Sequence, residues 1–109
     1  MSTSAASVLA WTGAATAVIA GLSLLGTGAI AQSRAATAAD LAALAGADAL
    51  AAAHGRPCAV AVEAAARNGA QVVTCEQREW DVLVSVRVEA APLPPATARS
   101  RAGPGPTQP

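Results

Sequence analysis

The chain has 109 residues, of which 32 are alanine, two are tryptophan and none is Phe or Tyr, so the side chains that usually fill a core are nearly missing. Seven arginines, with no lysine, balance seven acids, which excludes the dense basic patch that a nucleic-acid backbone requires. Once an apolar span and a proline-rich end are set aside, roughly 60 residues remain for one very small domain, which needs a membrane, a disulfide or a partner to add stability.

No side chain from Ser2 to Ser33 is charged. After a short N-terminal segment, residues 1–7, the residues 8–31 read as a transmembrane helix. The whole apolar stretch Ala5–Ala31, wound as a helix, reaches about 40 Å, more than the roughly 30 Å of bilayer hydrocarbon. A helix that is apolar all round would otherwise need a large core, and the rest of the chain is too small to build one. Trp11 suits an interfacial anchor. Gly13, Ala17 and Gly21 recur every four residues and are candidates for close packing against another helix, although a sequence this rich in alanine and glycine produces such spacings by chance. Ala29-Ile30-Ala31 before Gln32 has the small-x-small pattern of a signal-peptidase site, so the alternative product is a small secreted binding protein released after Ala31. The absence of Lys or Arg ahead of the apolar stretch, and its length, favour the anchor. Arg34 is the only basic residue close to either end, and taken alone it would place the C-terminal side inside.

Beyond Gln32 the helix propensity stays high to about Ala53, where His54-Gly55 offers a glycine cap, predicting one continuous helix of about 50 residues. Leu41, Leu44, Ala45 and Asp48 share one face and form an apolar stripe edged by a carboxylate. Arg56-Pro57 fits the start of a second helix and Asn68-Gly69 its end. Cys58, Ala61, Val62 and Ala65 fall on one side of it, with Glu63 and Arg67 as an i,i+4 pair on the other. Gln71–Cys75 and Trp80–Val88 read as two strands of a hairpin, the second alternating Val82, Val84, Val86 and Val88 with Asp81, Ser85 and Arg87. Its turn, near Gln77–Glu79, lacks Gly or Asn. The expected fold is therefore α+β and helix-dominated, a long membrane helix continuing into a small head over residues 32–90. Residues 91–109, rich in Pro and Gly, are expected to be a disordered tail.

Cys58 and Cys75 are the only cysteines. A bridge between them would close a loop of about 17 residues and contribute about 3 kcal/mol; two unpaired buried thiols are the alternative. A bridge would put the residues after 32 outside the cytoplasm. These two with a lone His54 do not make a zinc site, and no CxxC or neighbouring histidine activates a thiol. The acids Asp40, Asp48, Glu63, Glu76, Glu79, Asp81 and Glu89 show no spacing that sets two around a pocket, and there is no nucleophile elbow or phosphate loop. The expectation is a protein that is not an enzyme, without metal, cofactor or small-molecule substrate.

The small-residue start Ser4–Ala10, the run Ala38-Ala39-Asp40-Leu41-Ala42-Ala43-Leu44-Ala45, Pro57-Cys58, and Asn68-Gly69 through Cys75 together resemble the TadE-like proteins of actinobacteria, the small ones of a helicase and secretion gene neighbourhood. The likeness runs over nearly the whole chain. It implies a pseudopilin-like subunit of a tight-adherence (Flp) pilus or related secretion system, working with other pilin-like subunits, membrane platform proteins and a cytoplasmic motor ATPase. It implies a single-pass plasma-membrane protein with the N-terminus inside and the head outside. The chain departs from pilin-like precursors in having no acid before Asp40.

Overall fold

The computed structural model describes residues 3–105, with side chains from Ser4 onward. Five elements follow one another: α1 (Thr3–Ala51), α2 (Pro57–Arg67), β1 (Gln71–Arg78), β2 (Asp81–Ala90) and β3 (Leu93–Ala102). The molecule is a rod with a small head at one end, 79 × 32 × 15 Å. The class is α+β and helix-dominated, as the sequence predicts, with one long N-terminal apolar helix.

Helix α1 runs without a break through both its halves. The first half is bare: residues 4–25 are exposed at every position, a length of about 33 Å at 1.5 Å per residue. The second half carries the core. Ala31, Ala35, Ala38, Ala39, Ala42, Ala43 and Ala49 are buried along one side of it, at the three- and four-residue spacings of a helix face. Facing them are Val82, Val84 and Val86, the largest fully buried side chains, presented by the alternation of β2 just as the sequence pattern predicts. Alanine adds little area, but it lets the helix axis approach the sheet closely.

The apolar stripe Leu41, Leu44, Ala45, Asp48 is therefore not the packed face. Leu41 is 42% and Leu44 52% exposed, and Asp48 is solvated. The sheet selects the small residues because β2 fills the gap with valine, and a leucine on that side would hold the layers apart. On α2 the same selection buries Ala61 and Ala65 and leaves Val62 half exposed, outside the expected face.

The helix ends are built alike from different residues. At α2, Gly69 takes φ 73°, with Ala70 N–H donating to Ala65 O at 3.0 Å and Gly69 N–H to Ala66 O at 3.1 Å. This paired closure is the Schellman motif. At α1 the left-handed residue that closes the helix is Ala53, φ 54°, ahead of Gly55, which is itself left-handed at φ 69°: His54 N–H donates to Ala49 O at 2.9 Å and Ala53 N–H to Leu50 O at 3.2 Å. The alanine stops the helix two residues before the expected glycine cap because His54 and Ala53 complete the bonds there.

The sheet is antiparallel in the order β1-β2-β3. Arg78 pairs with Asp81 across a two-residue turn, where Glu79 at φ 56° supplies the left-handed backbone that Gly or Asn would usually give. Beyond Ala90 the chain does not become a disordered tail. The Ala91–Pro92 peptide is cis, Leu93 pairs with Ala90, and β3 runs along β2 as far as the Val82–Ala102 pair. Composition obscured a period of two: Ala96, Ala98, Ser100 and Ala102 are half-buried while Thr97, Arg99 and Arg101 are exposed. Pro94 and Pro95 fit because β3 is an edge strand and they fall where its pairing with β2 is irregular, between the Leu93–Ala90 and Ala96–Val88 pairs, so neither missing N–H breaks a regular ladder bond. The head thus extends to Ala102; residues 106–109 of the expected tail lie outside the described residues.

Both helices cover the same face of the sheet, α1 over β2 and β3, and α2 chiefly over β1. Gln32 Nε2 also donates to the Thr97 carbonyl at 3.1 Å, tying α1 to the β3 edge. Where α1 meets α2 and β2 the approach is close at Gly46, where an added Cβ would stand 3.0 Å from the Pro57 carbonyl oxygen and 3.1 Å from Val82 Cγ1. Gly46→Val should therefore lower the unfolding free energy by about 1–3 kcal/mol, read from denaturant unfolding of the full chain in detergent. Ala36→Val, on the exposed side of the same helix, should stay within about 0.5 kcal/mol. In the same assay Ala53→Gly should raise stability by about 0.5–1 kcal/mol, because glycine adopts the left-handed cap without a Cβ penalty.

Candidate functional site: the bare helix and its braced head

The largest feature without a partner is the first half of α1. Val8, Leu9, Trp11, Val18, Ile19, Leu22 and Leu25 stand 60–78% exposed there. Gly13 and Gly21, with nothing within 4 Å of an added Cβ, and Ala17, also exposed, lie on this bare length, so the three helix-packing candidates meet no other part of the chain. The helix is long and apolar enough to cross a membrane.

Its polar groups are arranged for the same surroundings. Thr12 Oγ1 donates to Val8 O at 2.8 Å, Thr16 Oγ1 to Thr12 O at 2.8 Å and Thr27 Oγ1 to Ser23 O at 3.0 Å. Each hydroxyl proton returns to the helix's own backbone, the arrangement that hydrocarbon, which offers no hydrogen bond, makes favourable. In water an exposed hydroxyl would gain little from it.

The head meets this segment at a defined level. An added Cβ on Gly28 would lie 3.2 Å from Leu93 Cδ1, and Ala31 is the first buried residue. The β2–β3 turn and the end of α2 thus stand beside the top of the bare segment. At the far end of the head, Trp80, 62% exposed, shares a shallow cleft with Leu44, Ala47, Asp48, Ala51, Gly103 and Pro104.

Cys58, at the start of α2, and Cys75, in β1, form a disulfide across a Cα–Cα distance of 5.8 Å. It fastens the shorter helix to an edge strand, where the alanine core is thinnest. The ion pairs do less: Glu63–Arg67 at 2.6 Å, Glu76–Arg78 at 3.0 Å and Arg87–Glu89 at 2.8 Å are exposed, so water and salt screen them and each adds little. The hydrogen bond and charge of Glu76 raise the Arg78 pKa above its already high ordinary value, so its charge is constant at any working pH. Asp81 accepts from Arg101 Nε at 2.8 Å across the β2–β3 pair.

Asp40, Asp48, Glu79, Arg34, Arg56 and Arg99 have no ion-pair partner among the described residues. His54 sits exposed in the turn between the helices. No group of three His, Cys, Asp or Glu that could hold a metal occurs among the described residues. The third strand and the exposed leucines were missed by sequence reasoning; the alternation from Ala96 to Ala102 is the signal that could have found β3.

The chain matches no family model, no curated protein and no solved structure. The arrangement presents an exposed apolar rod and a compact head held by one covalent link. Reduction of Cys58–Cys75 should cost about 3 kcal/mol, seen as a lower denaturant midpoint, and alkylation of the non-reduced protein should leave both cysteines unmodified.

Proposed function

We propose that this protein is a non-catalytic, pseudopilin-like structural subunit of a tight-adherence (Flp) pilus or related secretion system, held in the plasma membrane by α1. The observation that carries the reading is the continuity of α1: one helix is bare and apolar along the first half and forms the spine of the head along the second. A head joined to its anchor by a flexible linker could reorient freely. A head grown on the anchor helix moves with it, which suits a subunit that is positioned by helix packing among similar subunits and platform proteins. The disulfide favours an oxidising compartment for the head, hence the N-terminus cytoplasmic and the head outside.

Release after Ala31 as a small secreted binder is less well supported. Ala31 is 4% exposed and lies inside an unbroken helix, so cleavage there would cut within the packed face of the head.

In intact cells, a membrane-impermeant maleimide should label Ala52→Cys and not Ala5→Cys. A photo-crosslinking residue at Leu25 should yield adducts with other small, helix-led membrane subunits. A mature product beginning at Gln32 in the culture fluid would end the anchored reading, and labelling of Ala5→Cys alone would reverse the orientation.

A further inference from the structure

We infer that the base of the head holds the phosphate of an anionic glycerophospholipid, with Arg34 as its principal ligand. The inference rests on the membrane-anchored reading above and adds a binding site to it.

Arg34 is the only charged side chain between Ser2 and Asp40. It stands one turn above Ile30, which is 62% exposed, and Leu22, Gly26 and Ile30 descend from it at four-residue spacing into the bare segment. Its guanidinium therefore sits just above the level at which hydrocarbon ends, where phosphates lie. The arginines 67, 78, 87 and 101 of the head all have a carboxylate partner; Arg34 has none among the described residues.

Around Arg34 is a cleft of about 500 Å³ lined by Ala29, Ile30, Ser33, Arg34, Thr37 and Asn68. Its walls divide by chemistry, with Ala29 and Ile30 toward the membrane and the polar groups above them. Ser33 and Thr37, one turn apart, carry hydroxyls with no hydrogen-bond partner among the described residues, unlike Thr12, Thr16 and Thr27, whose hydroxyls bond back to the helix. Asn68 Nδ2 already donates to Ala64 O at 2.8 Å, which fixes that side chain at the cleft wall. Gly69 lies against the arginine stem, with an added Cβ 3.5 Å from Arg34 Cδ.

A guanidinium fork with hydroxyl donors beside it matches a phosphate diester, and the alkyl wall below matches the first methylenes of an acyl chain. Glu89 lines an adjoining cleft with Arg34, and Arg87 pairs with that acid at 2.8 Å. The site is left with one net positive charge, which favours a headgroup without a compensating amine, such as phosphatidylglycerol, over phosphatidylcholine.

The test uses the full chain reconstituted in equimolar phosphatidylglycerol and phosphatidylcholine, extracted in mild detergent, with retained lipid counted by native mass spectrometry. Wild-type protein should retain phosphatidylglycerol preferentially, and Arg34→Gln should reduce the retained fraction by about fivefold or more. Arg99→Gln, which removes another unpaired arginine on the outer face of the sheet, should leave it unchanged. Equal retention by wild type and Arg34→Gln overturns the inference. So does equally tight binding of inorganic phosphate at Arg34 in lipid-free protein, which would make the site one for free anions. Alkaline carbonate extraction of the same vesicles separates the two levels: protein that stays in the membrane without a lipid preference sinks the site alone, and protein that is released sinks the anchored reading and the site with it.

Discussion

Everything in the head depends on the contact between the alanine side of α1 and the valine side of β2. Neither surface buries much area per residue, so the contact is useful only if the layers lie close, and closeness requires small side chains along the whole seam. Gly46 marks where α1, α2 and β2 converge and where even a methyl group has no free space. The result is a thin core in which Val82, Val84 and Val86 are the largest fully buried groups. Such a core gains little from the hydrophobic effect, which explains why a covalent bridge ties α2 to β1 at its margin.

The same seam sets the relation between the head and the bare segment. Because α1 supplies one wall of the core and also the bare apolar segment, the head cannot turn about that segment without unfolding. Gln32, bonded to the Thr97 carbonyl, and Gly28, facing Leu93, carry β3 down to the base of the head, so the packed region begins close to where the apolar length ends. A rod of this kind transmits any displacement of its bare half directly to its packed half.

Polar groups along α1 change their behaviour at the same level. Below it the hydroxyls of Thr12, Thr16 and Thr27 bond to their own helix; above it Ser33, Arg34 and Thr37 are directed to the surroundings. Exposed leucines at Leu41 and Leu44 and the Trp80 ring add apolar surface to the head, left outside because the packed side has room only for alanine.

The sequence by itself determined the elements whose signals are local. The uncharged run before Arg34, the proline that starts α2, the Asn68-Gly69 end and the strict alternation of valines in β2 each act within one or two turns or one strand, so they could be read without knowing the fold. Tertiary structure decided the rest. It chose alanines over leucines as the packed side of α1, because the choice depends on the distance to a sheet that periodicity does not reveal. It made residues 93–102 a strand, because an edge beside β2 tolerates Pro94 and Pro95 and their composition alone resembles a disordered tail. It closed α1 at Ala53, where backbone bonds outweigh the preference for glycine, and it gathered Arg34, Ser33, Thr37 and Asn68 at one level of the rod, a grouping that only the antiparallel return of α2 against α1 could make.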